Sequence, residues 1–239
     1  MLVAASVCPS PPLLVPAVSV GAAAERADLR AACLAAVRRL VTSGVDQIMV
    51  VGTGEPAGDW DASAGGNLCR FGVDAGFGGE RQVLPLPLTL GAYLLDEAAW
   101  RGERRYVAVE SNTEPAALAR AGAGLVLGDR RLAMLVMGDG SAKRAVASPG
   151  YLDARAEAFD AAVVVALTRP DPEALLDLDP NLCEELWAAG RPAWQVLAGA
   201  AKASAAPPYE GSIRTTLGYD AAPYGVGYWV VDWAIGRAA

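Results

Sequence analysis

Apolar runs short enough for strands alternate along this chain with longer runs of helical periodicity, and that alternation restricts the fold more than any other feature. Leu2 to Val7 is a β-branched run halted by Pro9, Pro11 and Pro12. Leu29, Cys33, Val37 and Leu40–Val41 then recur at three- and four-residue steps, with Glu25, Arg26, Arg30, Arg38 and Arg39 on the other face and Gly44 as a stop. This is an amphipathic helix. Ile48 to Val51 reads as a second buried strand, Leu88 to Trp100 as a helix, and Tyr106 to Val109 and Leu132 to Met137 as further strands. Such a sequence of elements predicts an α/β fold, a central mixed β-sheet flanked by helices on both faces. The stretch from Thr53 to Gly79 is rich in Gly, Asp, Ala and Ser and lacks periodicity, so it is expected to be a long surface loop.

The second half predicts helices over Asp153 to Leu167, after Asp171-Pro172, after Asp179-Pro180 and from Pro192 onward, with Gly190 ending the third of them. Aspartate before proline is a helix start: the carboxylate accepts from free amides, and the first helical position does not need the N–H that proline lacks. Tyr209 to Tyr219 and Tyr224 to Trp233, around Asp220–Pro223, form an expected terminal hairpin. Within it Trp229 and Trp233 are four residues apart and should share a buried face. With no repeat and no linker, residues 1–239 are read as one domain.

The chain has no histidine in its 239 residues. Imidazole is the usual acid–base group near neutral pH and the commonest ligand of catalytic zinc and non-haem iron. Ser-His-Asp triads, His-paired cysteines and sites with two histidines and a carboxylate are therefore excluded. A net charge of −7 argues against general nucleic-acid binding, which draws on neutralised phosphates. No run approaches the roughly 20 apolar residues of a membrane span, and the N-terminal run, without a basic segment, reads as a strand rather than a signal peptide. Cys8, Cys33, Cys69 and Cys183 lack CxxC spacing and suggest buried free thiols in a reducing cytoplasm.

Ligands of α/β sheets bind where strands end. Three such segments carry polar groups: Cys8-Pro-Ser10-Pro-Pro12, Gly52-Thr53-Gly-Glu55-Pro56, and Gly138-Asp139-Gly-Ser141-Ala142-Lys143-Arg144. The third is either an anion cradle of backbone amides with Lys143, or a polar turn in which Asp139 bonds its own loop. Cys8 is a nucleophile or a buried thiol, and Glu55, Asp59 and Asp61 are oxygen ligands of a metal or solvated acids.

Together these segments resemble the class III extradiol ring-cleavage dioxygenases, in particular the LigB-like catalytic subunits and the related Memo-like proteins. The resemblance rests on Cys8-Pro-Ser10-Pro-Pro12, Met137-Gly-Asp139-Gly-Ser141-Ala142 and Pro223-Tyr-Gly-Val-Gly-Tyr228. In a high-alanine bacterial subgroup Pro149-Gly-Tyr-Leu-Asp153 and Ala193-Trp-Gln-Val-Leu-Ala-Gly-Ala200 also find counterparts. It implies a LigB-like three-layer fold and a cofactor, Fe(II), held by two histidines and a glutamate. Ser10 stands where one iron-binding histidine is expected, the second would fall near Thr53 to Glu55, Ala142 replaces the acid–base histidine, and Glu210 is the match to the glutamate. The expectation is thus a dioxygenase homologue without ring-cleaving activity and without Fe(II) or another cofactor. Its cleft, lined by Cys8, Ser10, Thr53, Glu55, Asp139 and Ala142, takes a small molecule, an anion or a partner, and homo-oligomerisation is left open. The alternatives are changed chemistry with Asp139 as base, Lys143 as electrostatic stabiliser and Ser141 or Cys8 as nucleophile, or a non-histidine metal site built from Cys8, Glu55 and Asp139.

Overall fold

A computed structural model of the chain describes residues 1–18, 24–205 and 211–237. Its elements in order are β1 (Leu2–Cys8), α1 (Ala24–Val41), β2 (Gln47–Thr53), β3 (Gly58–Trp60), β4 (Ala64–Asn67), β5 (Gly76–Gly78), β6 (Arg81–Gln82), α2 (Leu86–Glu97), β7 (Glu103–Val109), α3 (Pro115–Leu125), β8 (Leu132–Met137), α4 (Ala156–Thr168), α5 (Pro172–Leu176), α6 (Pro180–Glu185), α7 (Arg191–Ala205), β9 (Gly211–Ala221) and β10 (Tyr228–Arg237). A seven-stranded sheet has the order β3-β7-β2-β8-β1-β10-β9. Strands β7, β2, β8 and β1 are parallel, β3 and β10 run against their neighbours, and β9 pairs antiparallel with β10 in the expected hairpin. The mixed α/β sheet predicted from the alternation of runs is the observed one.

Because the central strands are covered on both faces, they read as unbroken apolar runs. Ile48 and Val50 of β2 face α1 and α2, against Leu29, Cys33, Val37, Leu40 and Leu88. Met49 and Val51 face the opposite layer, with Phe159 and Val163 of α4, Leu175 of α5 and Trp194 and Leu197 of α7. Helices therefore cover both faces of one sheet, a three-layer arrangement. Trp229 and Trp233 lie on a single buried face: the Trp229 ring packs 5.3 Å from that of Trp194, and Trp233 Nε1 donates to the Leu167 carbonyl at 2.7 Å.

Two expectations are corrected. The segment from Thr53 to Gly79 is not a long loop: it holds β3, which extends the main sheet, and β4 and β5 of a second sheet of order β5-β4-β6. Its glycines hide the strands from a hydrophobic pattern because they serve close approach. A Cβ on Gly65 would lie 1.9 Å from the Gly79 carbonyl oxygen, and one on Gly66 the same distance from Thr89 Oγ1. Helix α6 ends at Glu185, before Gly190, and the chain turns at Trp187 with a left-handed φ of 57°. Asp171 and Asp179 do cap α5 and α6, each accepting a backbone N–H at 2.9 Å. Among the described residues, no helix is long and apolar enough to cross a membrane.

Candidate functional site

Parallel pairing brings the three polar segments out of one edge of the sheet. Cys8 and Gly52 are both register partners of Met137, so the chains leaving β1, β2 and β8 do so side by side, with β8 in the middle. The Gly138 amide prolongs the pairing by donating to the Cys8 carbonyl at 3.0 Å. The next residues meet directly. The Ser10 amide donates to Asp139 Oδ1 at 2.6 Å and the Ser10 hydroxyl reaches the same oxygen at 3.5 Å. The Asp139 carbonyl accepts from Gly190 N at 2.9 Å, and Thr53 Oγ1 donates to the neighbouring Ala189 carbonyl at 2.7 Å. Thr53 and Asp139 thus each bond one of the two residues that precede α7, and Ser10 holds Asp139.

Burial raises the Asp139 carboxyl from 3.8 to about 6, although the Ser10 bonds oppose the shift. Tyr228 is a close neighbour: burial raises its phenol, and the charge of Asp139 adds to the effect. A carboxyl titrating near neutrality at a strand end can hold or release a proton under ordinary conditions.

The other expected residues are placed differently. Cys8 has no exposed surface and belongs to the core beneath α1, where its thiol is held protonated by hydrogen bonding with Cys33 and by burial. It lines no cleft. Ser141 is likewise buried, its amide and hydroxyl each donating to the Asp160 carboxylate at 2.8 Å, while Arg144 Nη1 donates to Asp160 Oδ2 at 3.1 Å. That triad fastens the loop to α4. Lys143 does not face a cradle; its ammonium lies 5.6 Å from the centre of the Trp187 ring.

The amides of the loop are engaged too. Those of Gly140, Ala142 and Arg144 donate to the carbonyls of Gly227, Leu186 and Gly225 at 2.8, 3.0 and 2.9 Å, which leaves the segment neither an anion cradle nor a turn bonded to itself. Glu55 is exposed and accepts from Ser111 Oγ at 3.0 Å, Asp59 pairs with Arg105, and Asp61 bonds Ser63 within its turn. Among the described residues no three Cys, Asp or Glu side chains converge as a metal site, so Cys8, Glu55 and Asp139 do not form one. Glu210 lies outside the described residues. Of the four cysteines, all unpaired, Cys69 is exposed rather than buried.

Several groups of this edge went unnoticed in the sequence. Asp160 sits in the middle of a helix whose periodicity makes it look like a solvated residue. Arg191 was detectable: it opens α7, where the positive end of the helix dipole disfavours a cation. With Ser111, Glu114, Asn181, Cys183 and Trp187 it lines a cavity of about 450 Å³. The segment from Trp187 to Arg191 separates this cavity from the Ser10–Asp139 contact, since Gly190 bonds Asp139 and its flanking residues line the cavity.

The fold defines the class: a three-layer α/β protein whose parallel strands end in the loops that carry Ser10, Thr53 and Asp139. No protein-family model matches the chain, and no curated protein matches it. Among solved structures it is similar to one described as the crystal structure of uncharacterized protein JW3007 from Escherichia coli K12. The TM-score is 0.56 at 12% identity, with 96% of this chain and 99% of that one covered. That likeness is one of fold alone.

Proposed function

We propose that this chain is a metal-free relative of the extradiol ring-cleavage dioxygenases whose strand-end cleft binds a small ligand without oxidising it. The observation that carries the reading is the direct contact of Ser10 with Asp139. The resemblance assigns the position of Ser10 to an iron-binding histidine, yet here the residue is turned onto a carboxylate and shares its hydrogen bond. Fe(II) in such enzymes needs neutral nitrogen donors with open positions beside them. A serine whose amide bonds a carboxyl, with its hydroxyl 3.5 Å from the same oxygen, in a chain with no imidazole and, among the described residues, no converging acidic or thiol groups, does not fit that ion.

Protein purified without a polyhistidine tag should contain less than stoichiometric iron and should consume no oxygen with catechol and added Fe(II). One tightly held equivalent of iron with ring cleavage would refute the reading. The reading also takes the protein to act in the reducing cytoplasm, which four unpaired cysteines support.

A second reading draws on the Asp139 carboxyl near 6, which suits a general acid or base. It requires a turnover that rises or falls with a midpoint near pH 6 and is abolished by Asp139→Asn.

A further inference from the structure

The cavity beside the cleft joins opposite charges in a way the fold does not explain. Arg191 is only 2% exposed. Its guanidinium donates to the carbonyls of Ser111 and Thr113 and, at 2.8 Å, to Gln195 Oε1. All three acceptors are neutral. A buried cation is ordinarily matched by an anion, and dipoles alone compensate it poorly. Here burial also lowers the pKa of the guanidinium. The position at the first residue of α7 adds the unfavourable end of a helix dipole.

Acidic groups stand on the same wall without closing onto it. Glu114 follows Thr113, whose carbonyl Arg191 holds, and its charge acts on the guanidinium from an exposed position. Glu184 also lines the cavity. A simple anion would meet these two carboxylates, and a simple cation would meet Arg191. The rest of the lining mixes polar Ser111, Asn112 and Asn181 with apolar Pro180, Ala188 and Pro192, and Trp187, half-exposed, holds a left-handed backbone conformation that a bulky residue seldom adopts.

We propose that this cavity binds a small zwitterion, a free α-amino acid or a close analogue, with its carboxylate on Arg191 and its ammonium towards Glu114. The inference goes beyond the ligand-binding reading above, because the segment from Trp187 to Arg191 separates this cavity from the Ser10–Asp139 contact. A volume of about 450 Å³ holds such a molecule together with some water.

The test is calorimetric titration of the untagged protein with the common L-amino acids, then with the amide and the N-acetyl form of whichever binds most tightly. The free amino acid should bind, and each capped form, having lost one charge, should bind about tenfold more weakly or worse, as loss of a charge-assisted hydrogen bond implies. Glu114→Gln, on the exposed rim, should weaken the free amino acid by a similar factor and leave the N-acetyl form unchanged. Arg191→Lys should weaken the free acid and the N-acetyl form alike; if that variant fails to fold, Glu114→Gln decides. Failure of every amino acid to bind at millimolar concentration overturns the proposal, as does equal binding of the capped forms. Neither result touches the absence of iron, and an iron-loaded, ring-cleaving preparation would refute the earlier reading while leaving the zwitterion site to stand or fall on its own titration.

Discussion

Replacing Asp139 by asparagine should stabilise the folded protein at neutral pH, and by an amount that depends on pH. The amide oxygen of asparagine can still accept from the Ser10 amide, so the loop contact is kept while the ionisable group is lost. In the folded chain the carboxyl is raised from 3.8 to about 6. The folded state therefore holds the proton more tightly than the unfolded state. The associated stability is fully present below about pH 4 and is lost as the pH rises through about 6. A shift of roughly two units corresponds to about 3 kcal/mol as a ceiling, at about 1.4 kcal/mol per unit. Asp139 is only half-buried as a residue, which reduces the expectation to about 1.5 kcal/mol. Urea unfolding of both proteins between pH 4 and 7.5 would measure it. The variant should gain on the parent across that interval and keep a constant lead above pH 7. Groups such as Asp153, which Arg155 holds down to about 2, are common to both proteins and cancel. A difference that stays flat with pH, or falls, would refute the buried, proton-holding state of Asp139.

Two further substitutions test the packing around the site. Gly122→Ala in α3 would place a methyl group 1.9 Å from the Val196 carbonyl oxygen of α7 and should destabilise by about 2 kcal/mol; Gly124→Ala, with nothing within 4 Å, should stabilise by about 0.5–1 kcal/mol, both read by chemical denaturation. Ser141→Ala removes a hydroxyl from the buried Asp160 carboxylate and should lower stability by about 1–3 kcal/mol in the same assay, whereas an unchanged midpoint would mean that Arg144 and the backbone amide of residue 141 satisfy Asp160 without it.

The layers of the fold were legible because buried parallel strands and amphipathic helices leave distinct apolar periods, as in Ile48–Val51 and in Leu29, Cys33, Val37 and Leu40. The Asp-Pro helix starts were legible for a local reason, the capping chemistry of Asp171 and Asp179. Helix α3 opens with the related Glu114-Pro115 but was overlooked: a glutamate there makes no side-chain cap, and the alanine-rich stretch after it has few large apolar residues. Strands β4 and β5 were illegible because glycine, chosen for close backbone approach, carries no hydrophobic signal. At the site, the turns were found because strand ends are recognisable, whereas the direction of each side chain was not. Nothing local to Ser141 shows that it serves Asp160, nineteen residues on, or that the amides around it are already engaged. Such long-range satisfaction is set by packing, and packing is absent from a one-dimensional pattern.

How the carboxyl edge of the sheet is held together bears on what a chelator should do to the protein. Five connections close the carboxyl edge: Ser10 to Asp139, Gly190 to Asp139, Thr53 to Ala189, Ala142 to Leu186 and Arg144 to Gly225. Together they join the ends of β1, β2 and β8 to the residues before α7 and to the turn before β10. Each such bond contributes about 1 kcal/mol net, so the set is of the size needed to fix several loops without help from an ion. A structural metal in the same place would contribute on the order of 10 kcal/mol to folding, and its removal would be conspicuous. Prolonged dialysis against EDTA should therefore leave the melting temperature unchanged, and addition of Fe(II) or Zn(II) should not raise it. A fall of more than a few degrees on chelation, restored by one metal, would show that the Ser10–Asp139 contact is not what holds these loops, and the argument from that contact to a metal-free protein would fail with it.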